Sequence, residues 1–218
     1  MRATAASRGA PGRSPALAQY RRRAQRYDAE LLAFEPIRAE AIAQLQLHPG
    51  DRVLDVACGT GLSFDRLHAR VGKRGRIVGV EQCPEMMAQA RARVQAHRWG
   101  NVDLLQAPAA GAKLEGLADA ALFHFTHDVV RHEDSLDNIL AHLRPGARVV
   151  ASGLQWAPPW AWPANGFVML AALYSVTTLE GLGHPWSRLE RRLAGFRVQH
   201  LALGGIYIAS GIYGPLAH

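Results

Sequence analysis

Between Asp51 and Leu154 the chain alternates short apolar runs with longer stretches in which apolar residues recur every three or four positions. The runs DRVLDVA, RIVGVEQ, NVDLLQA, ADAALFHF and RPGARVVASGL are brief and rich in Val, Leu, Ile and Ala, which predicts five buried strands. After the first run, SFDRLHARV sets Phe64, Leu67 and Val71 on one helical face. PEMMAQARARVQAHRW opens with a proline in its first turn and continues in good helix formers, predicting a helix of several turns. THDVVRHEDSLDNILAHL predicts a loop leading into a helix capped at Asp134 or Ser135. Upstream, residues 16–45 read as helical, and Pro36 divides them into two helices. This alternation predicts an α/β domain on a doubly wound, mostly parallel sheet, which binds ligands at the carboxyl ends of its strands.

After Gly153 the rhythm changes. WAPPWAWPANGFVMLAALYSVTTLEGLGHPW holds four of the five tryptophans in an apolar segment broken by prolines and Asn165, which excludes a membrane span and predicts a lid or wall over residues 156–186. WSRLERRLA reads as a helix, and FRVQHLAL and GIYIASGIY, joined around Gly204 and Gly205, predict a C-terminal antiparallel hairpin. No internal repeat is visible. At 218 residues the chain fits one domain, residues 16–218, behind a flexible basic tail over residues 1–15.

Charge sharpens this division. The net charge of +7 invites a nucleic-acid reading, but residues 1–26 carry seven arginines and no acid. Without them 18 Lys and Arg face 18 Asp and Glu, so the body is formally neutral, which argues against a nucleic-acid partner. The opening segment lacks the apolar core of a signal peptide. Cys58 and Cys83 form neither a CxxC pair nor a metal set with histidines, so no metal and no disulfide framework is expected and a reducing cytoplasm fits best.

The candidate chemistry lies in VLDVACGTGLSFD, Val53 to Asp65, where a strand ends in an acid and a glycine turn. A dinucleotide fingerprint needs a small third residue at position 64, where Phe64 stands. A phosphate loop needs Gly-Lys-Ser/Thr, which is missing. What is left is an acid before a turn whose glycines let the backbone approach a ligand that need not be a phosphate.

The segment Asp55-Val56-Ala57-Cys58-Gly59-Thr60-Gly61 resembles the first motif of the class I S-adenosylmethionine-dependent methyltransferases. GRIVGVEQCPEMMAQAR resembles their second strand and helix, and ILAHLRPGARVV the segment before their fifth strand, so the likeness runs in family order over roughly residues 15–155. Its flavour is that of the small-molecule and quinone-biosynthesis enzymes. The resemblance implies a Rossmann-like fold, S-adenosylmethionine as cofactor, and methyl transfer to a small, apolar or aromatic acceptor. It also implies that Gly59 and Gly61, with Cys58 between strand and turn, approach the methionine part, and that Asp55 and Ala57 lie beside its amino group. Glu81 would accept hydrogen bonds from the ribose hydroxyls, with Gln82 and Met86 flanking the adenine. Gln106-Ala107 stands where the family often has Asp-Ala, and the adenine amino group falls to this pair. Phe125 and Thr126 would line cofactor and acceptor, Tyr20 and Tyr27 would close over the cofactor, and His127 would face the transferred methyl.

Plain structural roles also suit these residues: a tight turn for the glycines, a turn-holding acid for Asp55, apolar filling for both cysteines, and satisfied histidines at His124, His127, His132 and His184. Trp156, Trp160, Trp162 and Trp186, with Tyr174, suit a core, a dimer contact or an acceptor wall. Two further functions compete with small-molecule methylation. One is lipid-headgroup methylation at a membrane surface, which Arg21, Arg22, Arg23 and Arg26 would approach as a peripheral contact; the other is cofactor binding without turnover. A monomer and a homodimer both suit the composition.

Overall fold

The structure is a computed structural model that describes residues 32–175 and 181–214. The predicted helix before Pro36, the basic tail, Tyr20 and Tyr27 lie outside the described residues. Helix α1 (Glu35–Gln44) starts with Pro36 in its first turn, where the missing N–H costs no hydrogen bond. Strands β1 (Arg52–Val56), β2 (Arg76–Glu81), β3 (Val102–Gln106), β4 (Ala118–His124) and β5 (Leu143–Leu154) fall on the five apolar runs. Between them stand α2 (Phe64–Val71), α3 (Pro84–His97), and the pair α4 (His127–Arg131) and α5 (Glu133–Ala141). The pair corrects the expected loop: a short helix fills it, and α5 begins after His132 with no side-chain cap, so neither Asp134 nor Ser135 caps it.

The seven strands run in the order β3-β2-β1-β4-β5-β7-β6. β1 to β5 are parallel, and β6 (Leu193–Leu201) and β7 (Ile206–Tyr213) form the expected antiparallel hairpin, with β7 inserted against β5. The order reverses between β1 and β4, which opens a crevice at the carboxyl ends of those strands. Strand alternation sends Val53, Ile77 and Leu122 to one face, under α1, α2 and Ala90 of α3. Leu54, Val78 and Phe123 go to the other, under α5 and Trp186. Residues 156–186 include helix α6 (Trp162–Ser175), and the short α7 (Ser187–Glu190) follows. The tryptophans there do not form one cluster. Trp186 is buried against Tyr207 and His200, Trp156 packs on a small third core, and Trp160 and Trp162 are exposed; the Tyr174 side chain lies outside the described residues.

Candidate functional site

Three residues of the turn after β1, Ala57, Gly59 and Gly61, have left-handed backbones, with φ of 54°, 58° and 78°. For the glycines this is cheap; for Ala57 it is a strain that the surroundings must hold. The turn explains why a phenylalanine occupies position 64. The Phe64 ring lies against the bare Cα of Gly61, and a Cβ on Gly79 of β2 would come within 2.7 Å of its Cζ. Both glycines make room for the ring, which is buried in the core between α2 and the sheet.

Glu81 ends β2 buried rather than on the surface. Its Oε2 accepts from the Gly59 amide at 3.0 Å and its Oε1 from the Cys83 amide at 2.7 Å, so it ties the glycine turn to the start of α3. Burial raises its pKa, while amide hydrogen bonds from Cys83, Gly59 and Gln82 oppose the rise. Asp55, also buried, has its pKa raised to about 7 by burial and by the nearby Glu81 charge, against the pull of Arg38. Its Oδ2 finds no hydrogen-bond partner among the described residues. Cys58 hands its amide to the Val80 carbonyl, and burial followed by the Asp55 and Glu81 charges keeps its thiol protonated.

A narrow cleft at the carboxyl ends of β1 and β4 is lined by Asp55, the Ala57–Thr60 turn, Arg38, His124 and Phe125. Arg38 was not anticipated. It is buried on α1, pairs with Glu35, and keeps an Nε without a partner among the described residues. One signal in the sequence marks it: Arg38 shares the spacing of the core residues Ala41, Ile42 and Leu45, and an arginine on an apolar stripe needs an occupation. His124 also lines the cleft, with Nδ1 2.7 Å from the Ser152 Oγ of the neighbouring strand. Burial, and then the Arg38 charge, lower its pKa to about 3, so the ring is neutral. Phe125 has a left-handed φ of 55°, the second strained non-glycine residue on the cleft.

Other expected residues are near but not lining. Thr126 and His127 are buried at the start of α4 and are not among the described residues that line the cleft. Gln82 is exposed after β2, and Met86 is buried in α3. Parallel register sets Gln106 beside Glu81, and the Ala107 amide donates to the Glu81 carbonyl, so the pair sits at the neighbouring strand end. A larger hollow of about 510 Å³, lined by Gln44, Arg148, Arg197 and Gln199, lies at the amino end of β5, away from the switch in strand order. Among the described residues no cluster of His, Cys, Asp or Glu could hold a metal.

The cleft suits a ligand with cationic, anionic and diol groups together. An unpartnered buried carboxylate oxygen, an arginine with a free Nε, a strand-end acid and a half-buried backbone turn suit the amino acid end and ribose of S-adenosylmethionine.

Comparison with known proteins agrees. The family described as "Methyltransferase domain" matches residues 53–146. A malonyl-[acyl-carrier protein] O-methyltransferase of Serratia marcescens is 32% identical over 211 residues, covering 85% of this chain and 78% of its own length. A 2-phytyl-1,4-naphtoquinone methyltransferase of Synechocystis sp. is 32% identical over 119 residues, 51% of this chain, and the match spans 48% of that relative. Among solved structures, the N-methyltransferase NodS of Bradyrhizobium japonicum with bound S-adenosyl-l-homocysteine superposes with a TM-score of 0.68 at 14% identity, over 93% of this chain and 100% of that one. That likeness establishes the fold, a mostly parallel seven-stranded Rossmann-like sheet. With the Serratia relative matched over most of both lengths, the chain belongs to the class I S-adenosylmethionine-dependent methyltransferases, enzymes whose methyl donor is S-adenosylmethionine.

Proposed function

We propose that this chain transfers the methyl group of S-adenosylmethionine to a small, apolar acceptor at the cleft between β1 and β4. One observation carries the reading: Phe125 joins the polar cleft to an apolar core. Phe125, which lines the cleft, packs on the core of Leu154, Val168, Leu182 and Ile206 together with Trp156 and Phe34. The name of the Synechocystis relative, which specifies a phytyl naphtoquinone, supports an apolar acceptor.

In this reading Asp55 receives the amino group of the cofactor, and the free Nε of Arg38 its carboxylate. Glu81 accepts from the ribose hydroxyls while its amide contacts hold the turn in shape. Gln82, Met86, Gln106 and Ala107 surround the adenine, and the Ala57–Gly61 backbone lies along the methionine chain. When bound, the cofactor supplies an electrophilic methyl on a cationic sulfonium. The protein's share is orientation and exclusion of water, because the wall beyond Phe125 offers an acceptor no competing hydrogen bonds. His124 lines the cleft, neutral and within hydrogen-bonding distance of Ser152, which supports a role for it facing the acceptor beside that expected of His127. His127, three residues on, is the buried first residue of α4 and is the alternative to be separated from it.

Calorimetric binding of S-adenosylmethionine and its demethylated product to wild type and Glu81→Ala, with NADH as control, tests the cofactor site. Loss of two charge-assisted hydrogen bonds weakens binding about a hundredfold or more. Unchanged affinity in the variant sinks the assignment. Turnover with a panel of apolar phenols, quinols, amines and thiols, repeated with His124→Ala and His127→Ala, then tests the acceptor class and separates the two histidines.

A further inference from the structure

Strand β6 changes faces at one residue. Leu193, Phe196 and Val198 all pack on the core under α5, although strict alternation would part Leu193 from the other two. The pairing with β7 shows how this is done: Ala194 stands opposite Ile212 and Arg197 opposite Ser210, so Gly195 and Phe196 together face Gly211. The extra residue makes a β-bulge, and Gly195 carries its left-handed backbone with φ of 57°. Past the bulge, Arg197 pairs with Ser210 and Gln199 with Ile208, and Ile208 lies in the core under α1 together with Val150 of β5. Arg148, two residues before Val150, is on the same face, opposite Ile212. One glycine thus lets β6 bury three apolar side chains on one side of the sheet while bringing Arg197 and Gln199 to the side that carries Arg148. Helix α1 ends at Gln44 beside them, and these residues line the hollow of about 510 Å³ at the amino end of β5.

We propose that this hollow binds the phosphate group of a small ligand. Among the described residues that line it there are two arginines and no Asp or Glu. Neither Arg148 nor Arg197 forms an ion pair with a described residue, whereas Arg144 in the adjoining hollow is paired with Asp119. The neutral donors are also unspent. Gln44 Nε2 donates to Gln199 Oε1 at 2.7 Å and to Glu40 Oε1 at 3.1 Å, while Gln199 Nε2 and Ser210 Oγ have no hydrogen-bond partner among the described residues. Two guanidinium forks with an amide and a hydroxyl between them are the donor set that a phosphate accepts from best. The adjoining hollow shares Arg148 and Gln46 but contains Asp51 and Asp119, so its charge keeps an anion on the Arg197 side. The volume is that of a small-molecule site, commonly about 300–1,000 Å³, and leaves room beyond one phosphate for an organic part beside Ile212. The cofactor cleft lies at the opposite, carboxyl ends of the strands, so the two sites are separate.

The test is calorimetry on the full chain without S-adenosylmethionine, so its result is independent of the methyl-transfer reading. Pyrophosphate should bind, more weakly as salt rises, and acetate at equal ionic strength should not. Arg148→Gln/Arg197→Gln should weaken pyrophosphate binding about tenfold or more, since charge-assisted hydrogen bonds are lost, and should leave S-adenosylmethionine binding unchanged. Arg197→Gln alone, at an exposed position that packing does not constrain, should show part of the loss in a protein of wild-type thermal stability. Inorganic phosphate and glycerol 3-phosphate separate the sources of the group: tighter binding of the ester places an organic part in the hollow, and equal binding makes the phosphate itself the recognised unit. The proposal is overturned if pyrophosphate does not bind, if the double variant binds it as tightly as wild type, if Arg38→Met in the cofactor cleft abolishes its binding instead, or if polyglutamate binds where every phosphate probe fails.

Discussion

The two walls of the cleft are built in opposite ways. On the side proposed for the cofactor, Asp55, Glu81 and the glycine turn come from one strand-turn-helix unit and the next strand, and Glu81 ties the turn to the start of α3 with two amide hydrogen bonds. Beyond Phe125, α6, the β6–β7 turn and Phe34 of the N-terminal side meet from distant parts of the chain through apolar contact. The first wall is local, polar and sterically tight; the second is long-range, apolar and partly uncovered. Tight local geometry suits a fixed cofactor, and a loosely specified apolar wall suits an acceptor that varies between relatives of one fold.

The contrast predicts unequal tolerance. Gly61→Ala should be the most damaging change, because it forces a Cβ into the Phe64 ring from a backbone with φ of 78°. We expect a loss of about 3 kcal/mol or more in denaturant unfolding. Gly79→Ala, with a Cβ 2.7 Å from Phe64 Cζ and 3.0 Å from Cys58 Sγ, should cost about 1–3 kcal/mol. Phe64→Leu should recover part of that loss; no recovery would show that the ring is not what the glycines accommodate.

Arg38 tests the polar wall next. Arg38→Met should weaken S-adenosylmethionine binding about ten- to a hundredfold in calorimetry. The same variant should raise the pKa of Asp55 further, because Arg38 opposes the burial that lifts it to about 7.

A pH-dependent effect comes from two buried groups that titrate in opposite senses. Asp55, raised from 3.8 to about 7, keeps a proton in the fold that the unfolded chain has lost, so its stabilisation is full below about pH 4 and disappears as pH rises toward 7. His124, lowered from 6.5 to about 3, does the reverse: its contribution is present above pH 6.5 and is lost as pH falls toward 3. Between pH 4 and 6.5 the slopes offset one another. Stability of Asp55→Asn should therefore climb with pH across this window and that of His124→Gln should fall, each by up to about 1.4 kcal/mol per pH unit. Parallel profiles in the two variants would refute the opposition. Smallest of all, Trp162→Ser on the open side of α6 should change stability by about 0.5 kcal/mol or less in thermal unfolding. A larger loss would show that this face is a packed part of the fold.

The strand and helix pattern, the glycine turn and Glu81 were readable because each is a local event with its own residue signature. Arg38 was not, although it carried a signal, since an arginine at a core spacing has no assignable partner until α1 is laid over β4 and β5. The ranking of His124 and His127 depended in the same way on the point at which β4 ends and the chain turns through Phe125. The tryptophans show the limit most plainly: composition grouped them, and packing buried Trp186 while leaving Trp160 and Trp162 in the open.

The sequence alone determined an α/β sheet with a glycine turn after its first strand, because strand alternation, helix period and a glycine turn depend on neighbours within a few residues, and the cofactor entered through the family resemblance. Only the tertiary structure decided that Arg38 and His124 share the cleft with Asp55, that Phe64 fills the space left by Gly61 and Gly79, and that α6 keeps one apolar face uncovered. Those outcomes rest on contacts between segments far apart in the chain, whose geometry is set by how the whole sheet and its helices pack.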